Sequence, residues 1–70
     1  MIEKENRSSY AIQEWCVRHN ISRAMFYKLR RTGKGPREML VGTMRRISHE
    51  ADRDWIRDRE VEAASSKGVA

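Results

Sequence analysis

Residues 22–31, Ser-Arg-Ala-Met-Phe-Tyr-Lys-Leu-Arg-Arg, hold four cations and no carboxylate. On a helical wheel at about 100° per residue, Phe26 and Leu29 fall about 60° apart and mark a buried side. Ala24, Tyr27, Lys28 and Arg31 then point away from it, with Arg23 and Arg30 on a flank. One small residue for close approach, one aromatic with a hydroxyl and two cations suit a helix that enters a DNA major groove. There the cations reach phosphates or a guanine edge. The competing reading is a solvated helix face. Such faces usually pair opposite charges three or four residues apart, and this segment has no acid to pair.

A second set of cations follows: Lys34, Arg37, Arg45 and Arg46. Arginines near the tip of a two-stranded hairpin can track a phosphate backbone or enter a narrow minor groove. Strand alternation puts Arg46 and Ile47 on opposite faces. Arg46 is therefore expected to point outward if Ile47 is core, and Arg45, on the face of Ile47, to be partly covered. The candidate DNA-contacting residues are Ser22, Arg23, Ala24, Tyr27, Lys28, Arg31, Lys34, Arg37, Arg45 and Arg46.

Other conspicuous residues have simpler readings. Trp15 and Trp55 sit at core-facing helical positions and are expected to anchor the core rather than to stack on bases. His19 and His49 lie at a helix end and a helix start, where structural or solvent roles are common. Cys16 reads as a small packed side chain. Glu50, Asp52, Asp54, Asp58, Glu60 and Glu62 alternate with Arg53, Arg57 and Arg59, which predicts an exposed, salt-bridged helix rather than a general acid–base pair. One cysteine and two histidines assemble no metal cluster at the usual spacings and no intramolecular disulfide. Gly33-Lys34-Gly35-Pro36 follows no strand, so it is a breaker rather than a phosphate loop, and no nucleophile motif is present. No catalytic residue, metal or cofactor is expected, and an enzyme is the least favoured class.

The elements that must position these residues can be read along the chain. Residues 1–8 are expected to be a flexible start. Ser8 or Ser9 caps a helix from about Tyr10 to His19. Asn20 ends it, because Asn tolerates the left-handed conformation of a tight turn. Ser22 caps a second helix from about Arg23 to Arg31, which Thr32-Gly33-Lys34-Gly35-Pro36 terminates. Glu38–Val41 and Met44–Ile47 read as two short strands around Gly42-Thr43. Ser48 caps a third helix from Glu50 to about Ala63, with acids in its first turns as the helix dipole favours. Residues 64–70 are expected to be a flexible tail. The order of helix, turn, helix, hairpin and helix predicts a mostly α fold with a small β-hairpin, a winged helix-turn-helix over residues 9–63.

Seventy residues allow one small domain whose core rests on a few large side chains: Ile12, Trp15, Ile21, Phe26, Leu29, Ile47 and Trp55. Hydrophobic residues make up 39% and charged residues 36%, a balance that favours a folded domain over a disordered chain. Net charge is +5, and residues 15–49 carry nine basic groups against the single acid Glu38. Residues 50–62 hold six acids and three bases. A basic middle segregated from an acidic end points to a polyanion partner. The single outward aromatic on the second helix is a poor stacking platform, which favours duplex DNA over RNA. The charged N-terminus is no signal peptide and no run is long enough to span a membrane, so a soluble cytoplasmic protein is expected.

Several segments together resemble a known family. Ile21-Ser22-Arg23-Ala24-Met25-Phe26-Tyr27-Lys28-Leu29 resembles the recognition-helix stretch of excisionase-like helix-turn-helix proteins of the MerR superfamily. Gly33-Lys34-Gly35-Pro36 matches their "G-(K/R)-G-P" step. Val41-Gly42 with Arg45-Arg46-Ile47-Ser48 matches their wing, and Ala51 and Trp55 fit the helix that follows. The likeness covers about Tyr10 to Glu60. It implies a winged helix with the second helix in the major groove and the wing on the backbone or minor groove. It also implies a non-catalytic, nucleoid-associated bacterial accessory protein of a phage or mobile element. Such a protein is either an excisionase, which binds tandem sites, or an AlpA-type transcriptional regulator. A single module of this size buries little surface on DNA, so tandem or dimeric binding is expected, and an integrase or RNA polymerase subunit is the kind of protein partner an acidic third helix would take. Two positions depart from the pattern. Thr43-Met44 replaces the arginines usual after the wing glycine, and Asp52 stands near a place the family often fills with an apolar residue. A different class of function, a protein-interaction adaptor working through the acidic third helix, is compatible with the same residues.

Overall fold

The computed structural model describes the backbone of residues 8–69 and the side chains of residues 8–65. Within them the order is β1 (Ser9–Ala11), α1 (Ile12–His19), α2 (Arg23–Arg31), β2 (Met39–Val41), β3 (Met44–Ser48) and α3 (His49–Val69). The result is a small mixed α/β domain, mostly helical, with three helices and one three-stranded antiparallel sheet among the described residues.

The turn chemistry follows the sequence closely. Asn20 ends α1 at φ 55 and ψ 45, in the left-handed region, and the Ile21 N–H closes the turn on the Cys16 carbonyl at 2.9 Å. Ser22 caps α2 by accepting from the Met25 N–H at 3.0 Å. Past Thr32, Gly33 takes φ +77 and the Lys34 N–H reaches back to the Leu29 carbonyl at 2.8 Å, which closes the helix end. Gly42, at φ +67, opens the two-residue turn between β2 and β3, a position where a positive φ is required. Ser48 caps α3 by accepting from the Ala51 N–H at 3.0 Å.

Three boundaries differ from the sequence reading. Neither Ser8 nor Ser9 caps α1, which starts at Ile12 rather than Tyr10. Ser9–Ala11 is instead a strand, paired antiparallel to β3 with Tyr10 opposite Ile47, so the expected hairpin is two strands of a sheet ordered β1-β3-β2. Competition between helix and sheet decides this. As a strand, the three residues share a ladder with β3, and the Glu14 carboxylate accepts from the Ala11 N–H at 2.9 Å at the point where the helix begins. The third helix runs on to Val69, beyond the expected end near Ala63. The expected flexible start lies, except for Ser8, outside the described residues.

The core forms where the sheet meets all three helices. Trp15, Cys16, Phe26, Ile47 and Ala51 are buried, and Tyr10, Ile12, Ile21 and Trp55 pack against them. Leu29, expected in the core, is only half-buried. The Trp15 ring meets Phe26 and Trp55 edge-on at 5.5 and 4.8 Å between centroids, the offset geometry that aromatic quadrupoles favour. Burial raises the Cys16 thiol above its ordinary value, with the Arg23 charge pulling the other way, so the thiol stays protonated and inert.

Candidate nucleic-acid interface

The outward face of α2 is as the wheel predicts. Ala24, Tyr27, Lys28 and Arg31 are exposed, while Phe26 is fully buried. Arg23 donates to the Tyr27 hydroxyl at 2.7 Å and to the Gln13 amide oxygen at 3.0 Å. The Arg23 and Arg30 guanidinium groups lie 5.5 and 5.1 Å from the Tyr27 ring centroid. These contacts hold the tyrosine in one place on the surface. Lys28 and Arg31 make no ion pair among the described residues. Ser22 is exposed, with its hydroxyl engaged in the helix cap.

The remaining cations are not equally available. Lys34 donates to Glu62 at 2.6 Å and Arg37 to Asp54 at 2.8 Å. Each hydrogen bond is the leading influence holding its carboxyl below the ordinary range. Charges segregated along the chain are thus partly paired in space, and α2 keeps the unneutralised part. The two hairpin arginines reverse the expectation. Arg46 is half-buried: its Nε donates to the Ser9 hydroxyl at 2.7 Å, its Nη2 donates to the Ser9 carbonyl at 3.2 Å, and Glu14 lies 3.9 Å away. Arg45 is exposed, 3.5 Å from Glu38. Alternation puts Arg46 on the face opposite Ile47, but there Ser9 of the neighbouring strand β1 and Glu14 engage it.

Two residues outside the candidate set organise this surface. Glu38 accepts from Arg30 Nε and Nη2 at 3.0 and 2.9 Å and also faces Arg45. Its carboxylate therefore clasps α2 to the base of the β2–β3 hairpin through a bidentate pair. As the only acid between residues 15 and 49, it is visible in the sequence. Replacing Glu38 with glutamine is expected to cost less than about 1 kcal/mol of global stability, because the guanidinium partners are substantially exposed. Amide exchange in residues 39–46 should nonetheless accelerate severalfold as the hairpin loosens from α2. Unchanged exchange there would show that the clasp holds nothing.

Asp52 is the second. It was expected on an exposed salt-bridged face and is instead 2% exposed. Its oxygens accept from Trp15 Nε1 at 2.8 Å and Arg18 Nε at 3.1 Å, and pair with His19 Nε2 at 2.7 Å. Burial pushes this carboxyl up, but hydrogen bonds from His19, Trp15 and Arg18, with the His19 charge, outweigh it and leave the group below the ordinary carboxylate range. The His19 ring also meets Trp15 at a tilt and Trp55 edge-on, with centroids 4.8 and 4.9 Å apart, so of the structural or solvent roles expected of it the structure shows the structural one. Trp55 Nε1 donates to the Lys34 carbonyl at 2.8 Å, so α3 supports the loop after α2.

Among the described residues no group of three His, Cys, Asp or Glu side chains converges to hold a metal ion. No helix there is long and apolar enough to cross a membrane. Compared with family models, curated proteins and solved structures, the chain finds no match in any of the three, so the resemblance described above rests on its motifs alone.

Proposed function

We propose that the protein is a sequence-specific DNA-binding accessory factor with a winged helix-turn-helix arrangement. In this reading α1 and α2 form the helix-turn-helix, α2 lies in the major groove, and the β2–β3 hairpin is the wing. The observation that carries the reading is the outward face of α2, where Lys28 and Arg31 stand without acid partners among the described residues, beside a braced Tyr27. Phosphates are the partner that such a face lacks, and each one bound releases condensed counterions. The motif resemblance favours an excisionase-type recombination factor, with an AlpA-type regulator using the same module. The adaptor reading through α3 is less well supported, because Asp54 and Glu62 already hold Arg37 and Lys34.

A fluorescence-anisotropy titration of the full chain tests this, using duplex DNA flanking its own coding sequence and a scrambled duplex at two salt concentrations. Tighter binding to the flanking DNA is expected, weakening by about 0.9 log unit per phosphate contact per log unit of salt. Equal binding to both duplexes would remove sequence specificity, and no binding to either would overturn the proposal.

A further inference from the structure

The hairpin tip does not look like a phosphate contact. Leu40 is 63% exposed, Met44 53%, Val41 48% and Met39 40%, and no carboxylate occurs between residues 39 and 48. Val41 and Met44 face each other across the Gly42-Thr43 turn, and Leu40 is paired with Arg45. Both faces of the tip therefore carry large apolar side chains, and Arg45 is the nearest exposed cation. Arg46, the hairpin cation expected to point outward, is held by Ser9.

Three observations say what covers this tip. Glu38 ties the base of the hairpin to α2 through Arg30 and also faces Arg45, so the hairpin is held in a fixed place relative to the helix that bears Lys28 and Arg31, which make no ion pair among the described residues. Those surroundings are cationic, which suits a partner whose rim is anionic and whose interior is apolar. A strand of three residues also offers a protein partner little main chain to pair with. Duplex DNA has both properties: phosphates line the minor groove, and sugar faces and base-step edges form its walls and floor.

Resting on the DNA-binding reading above, we infer that Leu40, Val41 and Met44 form an apolar wedge that enters the minor groove and partly unstacks one base step. Leucine and methionine suit such insertion, and the cost of unstacking is repaid by the extra surface that a kinked duplex wraps. Pyrimidine–purine steps unstack most easily. The wedge therefore adds selectivity for a flexible step next to the sequence that α2 reads, without a hydrogen bond to any base.

The test uses the full chain and end-labelled duplexes about three helical turns long, taken from the DNA flanking its coding sequence. One carries a central TA step and the other an A-tract in its place. Anisotropy reads affinity, and energy transfer between the ends reads bending. The wild type should bind the TA duplex more tightly and raise its end-to-end transfer. The double variant L40S/M44S changes only exposed side chains, and circular dichroism should confirm its unchanged fold. It should lose about tenfold in affinity and the whole transfer change, yet keep the wild-type salt slope, because no phosphate contact is removed. A double variant that binds and bends the TA duplex like wild type would overturn the wedge and leave the DNA-binding reading standing. A wild type that binds no duplex would overturn both. Concentration-dependent self-association lost in L40S/M44S, with no DNA bending by either protein, would assign the tip to a second copy instead.

Discussion

Replacing Asp52 with alanine is expected to destabilise the domain by about 3 kcal/mol, a large share of what a core this small supplies. The loss does not come mainly from packing. The carboxylate is the common acceptor for Trp15, Arg18 and His19, and its removal strands the indole N–H of a fully buried tryptophan. An unsatisfied buried donor costs more than the hydrogen bond itself contributes. Asparagine at this position keeps one acceptor oxygen and should lie between alanine and wild type. Because the Asp52 carboxyl is held below its ordinary range, folding favours its ionised form. That contribution is fully present above the unfolded value of about 4 and is lost as pH falls through the lower folded value. Urea denaturation at neutral pH and at about pH 3 checks both points. The advantage of wild type over D52N should be full in the first and should shrink in the second. An alanine variant as stable as wild type would mean the three donors find other partners.

The double variant K28A/R31A is expected to bind DNA about 60-fold more weakly than wild type at 0.1 M salt. Two lost phosphate contacts reduce the salt slope by about 1.8, and over the decade below 1 M salt this becomes the loss in affinity. Stability should stay within about 0.5 kcal/mol, since both side chains are exposed and unpaired among the described residues. R46A supplies the contrast. Its guanidinium fastens β3 to Ser9, so the variant should melt at a lower temperature and keep the wild-type salt slope. The sequence alone points the other way, to Arg46 as a DNA contact and Arg45 as the covered partner. Anisotropy titrations of the two variants across a salt series, with thermal melts, separate the readings. An R46A slope lowered by about 1 would restore the sequence view.

Local chemistry was legible and long-range pairing was not. Asn20, Ser22 and Ser48 end or start helices through bonds to residues at most four positions away, and the hairpin announces itself by a glycine turn. Each is written within a few residues, as is the exposed face of α2, which follows from helical periodicity and the burial of Phe26. By contrast, β1 is three residues without alternation, defined by a partner strand more than 30 residues away. Asp52 looks like one acid among six until Trp15, Arg18 and His19 are brought to it from α1. Its only advance signal was standing where the resembling family often carries an apolar residue. The Arg45 and Arg46 reading failed for the same reason, because alternation predicts a face and not what else lies on it. Charge segregation likewise overstated the free cations, since the acids of α3 fold back onto Lys34 and Arg37.

The order of the sheet has a consequence for how the molecule comes apart. β1, the first strand, pairs with β3, and the buried hub that receives α1 sits on α3. A chain that has formed only its first two helices lacks Ile47, Ala51, Asp52 and Trp55, and has no core to close on. Those helices are therefore not an autonomous folding unit, and unfolding should be a single cooperative step. The proposed binding surface would then persist for as long as the whole molecule does, and a ligand held by it would raise the melting temperature of every element together.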